Sequence, residues 1–204
     1  MERLAFGECV RMIADRLRGV SHEFYDYFER ASVGSLWDTS ELASASIVSG
    51  QLVTEGKTYS WNTNTGAKYT GFLNLTGDFM IVVDFDYVAR TSDLGRILLS
   101  IHDASDIRLA LGGIHDSQRE QSPGFIASID GGSSYFSGAE TRDASGNMIV
   151  KMIRTGDTLS IYEGTTLRVS DTMATDVRYV RLINERFQSY KSKTAKWNYI
   201  EMRW

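Results

Sequence analysis

Short stretches in which apolar and polar residues alternate are the feature that most constrains the fold of this chain. The longest stretch runs from Phe79 to Tyr87, where every second residue is a large apolar side chain. A period of two places those side chains on one face of a β-strand about ten residues long. Most of the chain after residue 23 repeats the pattern in shorter runs, separated by turns rich in Gly, Asn and Asp.

These runs predict about a dozen short strands and no second helix. Thr155-Gly156-Asp157 is a typical hairpin turn between two of them. Many short strands joined by polar turns favour an all-β, two-sheet antiparallel jelly-roll sandwich. The other predicted strands are the hairpin Ser46–Val53, turning at Ser49-Gly50, and the runs 67–73, 97–101, 107–111, 125–129, 147–154, 158–162, 167–169, 177–183 and 197–204.

The first 22 residues follow a different period. Apolar residues recur every three or four positions, which predicts an amphipathic helix over about residues 2–18 that ends at Gly19. We therefore divide the chain into a helix in residues 1–22 and a sandwich in residues 23–204. The helix either packs on the sandwich or docks to another chain. The apolar residues assigned to docking are Phe6, Val10, Ile13 and Leu17.

Composition excludes several classes of function. The chain has 204 residues, 42% of them hydrophobic and 24% charged, which is ordinary for a folded globule. The net charge of −4 argues against general nucleic-acid binding, which needs a basic surface. The single cysteine excludes an intrachain disulfide. Charges scattered through the N-terminus predict no signal peptide, and no apolar run is long enough to span a membrane.

Several segments resemble a known family. The segment Asp26-Tyr27-Phe28-Glu29-Arg30-Ala31, followed by Gly34 and Trp37, resembles the opening of concanavalin A-like (laminin G-like) jelly-roll domains. The hairpin Ile47–Val53 resembles the strand–turn–strand that follows in that family. Later similarities are Gly77-Asp78-Phe79, the hairpin 150–162 and the closing strand Tyr199–Trp204. The resemblance implies a lectin-like sandwich of the kind found in phage tail, fibre and capsid-surface proteins.

Catalytic patterns are weak in this sequence. Jelly-roll glucanases carry Glu-x-Asp-x-Glu on one strand, and the nearest match here is Asp84-Phe85-Asp86, whose carboxylates point away from the apolar face. His102 and His115 fall in turn-like contexts, and Cys9 lies on the apolar side of the predicted helix. We therefore expect no enzymatic activity, with a glycan hydrolase as the least favoured alternative.

Two segments carry the chemistry of a sugar-binding site, an aromatic face beside hydrogen-bonding groups. One contains Tyr59, Trp61, Asn62 and Asn64, and the other contains Tyr135 and Phe136. Trp61, Tyr135 and Phe136 could instead fill the core beneath long connections. Calcium is possible because Asp103, Asp106, Asp143 and Asn147 lie in turns, but no calcium-binding motif supports it, and we predict no metal or cofactor.

The sequence thus predicts a non-enzymatic, lectin-like binding or structural module with an N-terminal docking helix. The resemblance favours a phage virion component that contacts host or environmental glycans. Its expected partners are neighbouring virion subunits, or copies of itself, held through the helix, and its expected location is the virion. The alternative is a free carbohydrate-binding protein whose helix covers the sandwich.

Overall fold

A computed structural model describes residues 22–56, 66–71, 73–88, 95–116, 124–129, 135–137, 145–186 and 194–204. Fifteen strands and no helix occur in these residues, which confirms the all-β prediction. The strands are β1 (Glu23–Asp26), β2 (Trp37–Asp38), β3 (Leu42–Val48), β4 (Gln51–Gly56), β5 (Gly66–Tyr69), β6 (Phe79–Val88), β7 (Gly95–His102), β8 (Arg108–Asp116), β9 (Gly124–Ile129), β10 (Tyr135–Ser137), β11 (Ser145–Thr155), β12 (Thr158–Glu163), β13 (Thr166–Thr172), β14 (Tyr179–Arg186) and β15 (Thr194–Arg203).

The strands form two antiparallel sheets that pack face to face. Sheet I has the order β13-β12-β11-β6-β15-β4-β3, and β1 also pairs with β15. Because β4 pairs with residues 194–197 of β15 and β1 with residues 200–203, β4 and β1 lie end to end along the same edge of β15. Sheet II has the order β10-β9-β8-β7-β14-β5-β2.

The alternation seen in the sequence determines which residues fill the core between the sheets. Phe79, Ile81, Val83 and Phe85 of β6 are fully buried there, and the Phe85 ring lies 5.0 Å from that of Trp197 on β15. Asp84 and Asp86 occupy the opposite, outer face of the same strand, as the alternation predicted. This arrangement leaves the outer face of each sheet available for other roles.

A buried polar link joins the two sheets. The Thr54 hydroxyl on β4 accepts hydrogen bonds from the Trp197 indole at 3.1 Å and from the Asn184 amide at 3.2 Å, and Asn184 also donates to the Thr54 carbonyl at 2.8 Å. Asn184 lies on β14 in sheet II, whereas the other two residues lie in sheet I. Buried polar groups paired in this way fix how one sheet sits on the other.

Two glycines show how local sequence permits the fold. Ser49 and Gly50 both have positive φ angles, 50° and 73°, as the tight turn between β3 and β4 requires. Gly112 on β8 faces the opposite sheet, where an added Cβ would lie 2.9 Å from Ile161 and 3.1 Å from Val150. Its missing side chain therefore lets the two sheets approach closely at that point.

The structure corrects two sequence-based assignments and leaves a third outside its range. His102 ends β7 and His115 lies within β8, so neither is a loop histidine. The predicted docking residues Phe6, Val10, Ile13 and Leu17 lie outside the described residues. Within the described part of the chain, nothing forms a helix long and apolar enough to cross a membrane.

Candidate functional site

The predicted sugar-binding residues cannot be placed beside one another. Tyr59, Trp61, Asn62 and Asn64 lie outside the described residues. Tyr135 and Phe136 form part of β10 at the edge of sheet II, and only their backbone is described. Their role in glycan binding stays a prediction.

An exposed group of tyrosines lies on the outer face of sheet I. Tyr25 on β1 and Tyr27 just after it have parallel rings, with centroids 6.3 Å apart and an interplanar angle of 2°. Tyr25 is 37% exposed and Tyr27 is 52% exposed. The half-buried Tyr199 of β15 lies 5.9 Å from Tyr27 between ring centroids. The three rings form a continuous aromatic surface at the end of the sheet where β1 joins β15.

Carboxylates and amides continue this surface across the sheet. The Asn198 amide donates to Asp84 at 2.6 Å, and the Asn147 amide donates to Asp84 at 2.6 Å and to Asp86 at 3.0 Å. The Gln51 amide donates to Asp86 at 3.1 Å and to the Asn198 side-chain oxygen at 2.5 Å. Two carboxylates are thus held in place by three amides, which come from β4, β11 and β15.

We call these eight residues, the three tyrosines and the five polar residues, the tyrosine–amide surface. The residues of this surface come from neighbouring strands of sheet I, in the order β1, β15, β6 and β11. Gln51 is contributed by β4. Tyr199 stands opposite Asp84 in the β15–β6 register, which places the aromatic and polar parts side by side. Stacking faces next to fixed hydrogen-bonding groups are the arrangement that carbohydrate recognition needs.

The electrostatics of the surface are those of a half-buried acidic region. Burial raises the pKa of Tyr199, and the nearby Asp84 and Glu201 raise it further. Burial also raises the pKa of Glu201, although Arg203, whose Nε lies 2.5 Å from it, acts in the opposite direction. Tyr199 therefore stays a neutral phenol at physiological pH and keeps its hydroxyl proton.

The Asp26 carboxylate stabilises the segment that carries Tyr25 and Tyr27. Its carboxylate accepts the Trp37 indole N–H at 2.8 Å, the Phe28 amide at 2.9 Å and two guanidinium N–H groups of Arg30 at 2.5 and 2.8 Å. Burial raises the pKa of Asp26, but these hydrogen bonds outweigh it and leave the pKa below its usual value. These are the residues of the resemblance noted in the sequence, and the structure gives them this structural role.

The outer face of sheet II carries a different set of residues. Leu98, Leu111, Ile126 and Ile183 form a buried apolar cluster separate from the main core. Next to it, Glu185, Arg96 and His115 stand in register across β14, β7 and β8. Glu185 is buried, and its carboxylate lies 3.9 Å from the Arg96 guanidinium. We call Glu185, Arg96 and His115 the charged row.

Ser100, His102 and Asp106 have the order of a catalytic triad but not its accessibility. The Ser100 hydroxyl lies 2.9 Å from His102 Nε2, and His102 Nδ1 lies 3.3 Å from the Asp106 carboxylate. Both Ser100 and His102 are fully buried, so no substrate reaches the hydroxyl. Burial lowers the pKa of His102, and Arg181 and Lys68 both pair with Asp106, so the group stabilises the turn after β7.

The oxygen donors considered for calcium do not converge. Asp103 accepts the backbone amides of Ser105 and Ile107 at 2.8 and 2.9 Å, Asp106 pairs with Arg181, and Asn147 belongs to β11. Asp143 lies outside the described residues. Among the residues that the structure describes, no group of three or more His, Cys, Asp and Glu side chains could hold a metal ion.

The sequence reasoning missed most of the tyrosine–amide surface. It placed Asp84 and Asp86 on the solvent side of β6, but nothing in the sequence brings Tyr27, Gln51 or Asn198 to them. The nearest signal was the spacing of Tyr25 and Tyr27, two residues apart, which puts both side chains on one face if the segment is extended.

No family model and no curated protein matches the chain by sequence. Solved structures do match. The CBM2 module of the evolved Dit of Lactobacillus casei BL23 phage J-1 has a TM-score of 0.62 and 12% identity, covering 89% of this chain and 94% of that one. A Bacillus licheniformis β-glucanase has a TM-score of 0.59 and 10% identity, covering 89% and 98%. An alginate lyase of polysaccharide lyase family 7 has a TM-score of 0.57 and 9% identity, covering 79% and 83%.

These similarities confirm the concanavalin A-like jelly-roll fold. They also correct one prediction. We expected a non-enzymatic module because the glucanase carboxylate triplet is absent, but a β-glucanase and an alginate lyase share this fold. The exclusion of an enzyme was therefore wrong, because the same sandwich supports more than one glycan chemistry and one missing motif removes only one of them.

Proposed function

We propose that this chain is a glycan-binding jelly-roll module whose ligand lies on the tyrosine–amide surface. The observation that carries the proposal is the exposed pair of parallel tyrosines, Tyr25 and Tyr27, beside carboxylates held in fixed positions by amides. Sugar rings present apolar C–H faces that stack on aromatic rings and hydroxyls that bond to carboxylates and amides. The shared fold with a phage carbohydrate-binding module supports the proposal.

Tyr27→Ala tests this proposal. We expect binding to oligosaccharides to weaken on the order of tenfold or more, because a stacked ring carries a large part of such binding energy. The melting temperature should move by less than about 2 °C, since the ring is half exposed. Titration calorimetry and thermal unfolding of the full chain measure the two effects.

Ile107→Ala is the matched control, because Ile107 is 62% exposed in the turn between β7 and β8 of sheet II, away from the surface, against 52% for Tyr27. It should leave binding unchanged. An unchanged affinity in Tyr27→Ala, with the variant folded, would refute the assignment of this surface.

A second function, glycan cleavage, is favoured by the charged row on sheet II. An imidazole, a guanidinium and a carboxylate on adjacent strands can move a proton and hold a developing charge. The fold shared with a β-glucanase and an alginate lyase supports this proposal as well. Assays of a panel of polysaccharides for new chain ends test this proposal. Activity that is lost in His115→Ala and kept in Tyr162→Ala, a substitution on β12 of the other sheet, would support it. No activity on any polymer would refute it.

The proposed setting is a phage particle, as a tail, fibre or capsid-surface component. The similarity to a phage Dit module supports it, at 12% identity. The predicted helix in residues 1–22 would attach the module to a neighbouring subunit or to another copy. The alternative is a carbohydrate-binding protein that works without such an attachment.

A further inference from the structure

The tyrosine–amide surface crosses several strands of sheet I and reaches a cavity at its other end. From Tyr27 after β1, the surface passes over β15 and β6 to Asn147 on β11. Asn147 also lines a cavity of about 530 Å³ between β11 and the turn that joins β12 to β13. At about 4.8 Å per strand spacing, the path from β1 to β12 is about 19 Å long, which is longer than one sugar ring.

The cavity has a polar lining and a fixed shape. Thr165 and Thr166 are exposed at its rim, and the Glu163 carboxylate pairs with the Arg168 guanidinium at 2.7 Å along its wall. Gly164 has a positive φ of 56°, and its amide donates to the Ile149 carbonyl at 2.8 Å, which ties the turn to β11. Hydroxyls and a fixed ion pair can bond to sugar hydroxyls at this end, as the carboxylates and amides can in the centre.

The charge of the surface limits the kind of sugar. Asp84 and Asp86 accept amide hydrogen bonds at its centre, and the buried Glu201 lies near Tyr199. The exposed Lys196 stands opposite Asp86 in the β15–β6 register and offsets one charge, and Arg203 lies beside Glu201. The carboxylates at the centre can accept sugar hydroxyls, but they would repel the carboxylate of a uronic acid.

Building on the proposed function, we infer that the ligand is an uncharged polysaccharide chain, bound across the strands from the tyrosines to the cavity beside Asn147. A chain of several sugars fills the path, whereas a single sugar or a disaccharide covers only one part of it. Affinity therefore depends on chain length, and uncharged chains bind in preference to polyuronates of equal length.

The test is calorimetric titration of the full chain with uncharged β-glucan oligosaccharides of two to six sugars and with alginate oligosaccharides of matched length. We expect the six-sugar glucan to bind at least about tenfold more tightly than the two-sugar glucan, since the longer chain adds contacts at the cavity. Alginate oligosaccharides should bind more weakly than the glucans at low salt, where repulsion is least screened. Equal binding of both polymers would overturn the charge argument.

Thr165→Glu tests the cavity end, because a longer, charged side chain at its rim obstructs it. We expect this variant to reduce the affinity for the six-sugar glucan to that of the two-sugar glucan and to leave the latter unchanged. Thr158→Glu is the matched control, since Thr158 is an exposed threonine at the opposite end of β12. If binding is lost in Tyr27→Ala but does not depend on the number of sugars, the proposed function stands and this inference is overturned. If no oligosaccharide binds at all, the proposed function and this inference are both overturned.

Discussion

Asp26 is the residue on which the presentation of the exposed tyrosines depends. Its buried carboxylate accepts the Trp37 indole, the Phe28 amide and the Arg30 guanidinium, and the Phe28 backbone has a φ of 55° as a result of this turn. Few L-residues adopt such a conformation without support from their neighbours. Tyr27 lies between Asp26 and Phe28, so the same contacts that stabilise the turn fix the direction of its ring.

We expect Asp26→Ala to lower the free energy of unfolding by about 2–4 kcal/mol, because it leaves a buried indole N–H, a backbone amide and a guanidinium without their acceptor. Urea denaturation of the full chain at pH 7 measures this loss. Asp38→Ala is a suitable control, since Asp38 is exposed and accepts hydrogen bonds from the nearby Ser40, its backbone amide at 3.0 Å. Equal stability of the two variants would contradict the role given to Asp26.

The lowered pKa of Asp26 predicts how the stability of the chain depends on pH. Because the pKa of Asp26 is lowered in the folded chain, its stabilisation is present above the pKa of the unfolded chain, about 4, and is lost as the pH falls through the folded value. The difference in stability between the native chain and Asp26→Asn should therefore shrink between pH 5 and pH 2. Denaturation curves across this range test it, and a constant difference would contradict it.

At the scale of elements, the close approach of the two sheets is the feature most sensitive to change. Gly112 on β8 faces Ile161 and Val150 of the other sheet, and a Cβ there would lie within 2.9 Å of the Ile161 side chain. We expect Gly112→Ala to destabilise the sandwich by about 1–3 kcal/mol, since overpacking forces side chains or backbone to shift. Thermal unfolding measures the effect.

Gly77→Ala provides the control for that substitution. A Cβ at Gly77 meets nothing within 4 Å, and its φ is not in the left-handed region. We expect a change within about 0.5 kcal/mol. If both alanine variants unfold alike, the sheets do not pack as tightly at β8 as the structure indicates.

The sequence predicted the long strands well because their alternation is set by one buried face. Phe79 to Tyr87 and the hairpin turning at Ser49-Gly50 lie where they were expected. The sequence predicted a turn at His102. In the structure, β7 continues past a register shift between Ile101 and His102 and ends at His102, one residue beyond the apolar run. The short strands β1 and β2 were not assigned, because a strand of two to four residues shows too little alternation to recognise.

The candidate site was harder to predict than the fold for a physical reason. Tyr27, Asp84 and Asn198 are far apart in the sequence, and only the pairing of β15 with β1 on one side and with β6 on the other brings them together. The alternation of apolar and polar residues along β6 predicted the correct face for Asp84. It does not determine which residue of a neighbouring strand lies beside Asp84. Conversely, Trp61 and Asn62 were predicted to bind sugar because an aromatic ring and an amide are neighbours in the sequence there. Both residues lie outside the described residues.

At the scale of the whole molecule, the proposed helix in residues 1–22 determines whether the module acts alone. If it docks to another chain, Ile13→Asp places a charge on its apolar side and should abolish self-association or attachment to a partner subunit. Light scattering of the full chain over a concentration series measures self-association, and Arg11→Asp on the polar side is the control. Loss of the native sandwich in Ile13→Asp would instead mean that the helix packs on the module itself.

Both outer faces of the sandwich carry a candidate activity, and they lie on opposite sides of one core. Binding is assigned to the tyrosine–amide surface on sheet I and cleavage, as the second proposal, to the charged row on sheet II. Substitutions on one face should leave the other unaffected, because the two surfaces share no residue and lie on different sheets with the core between them.

Glycan binding at the tyrosine–amide surface is tested most directly by titrating the isotope-labelled full chain with an uncharged six-sugar glucan and recording NMR spectra of the backbone amides. We expect chemical-shift changes that saturate at Tyr25, Tyr27, Asp84, Asn198 and Tyr199, with little change on sheet II. Saturating shifts at Arg96, His115 and Glu185 instead, with the tyrosines unaffected, would show that the sugar binds the opposite face and would refute binding at the tyrosine–amide surface.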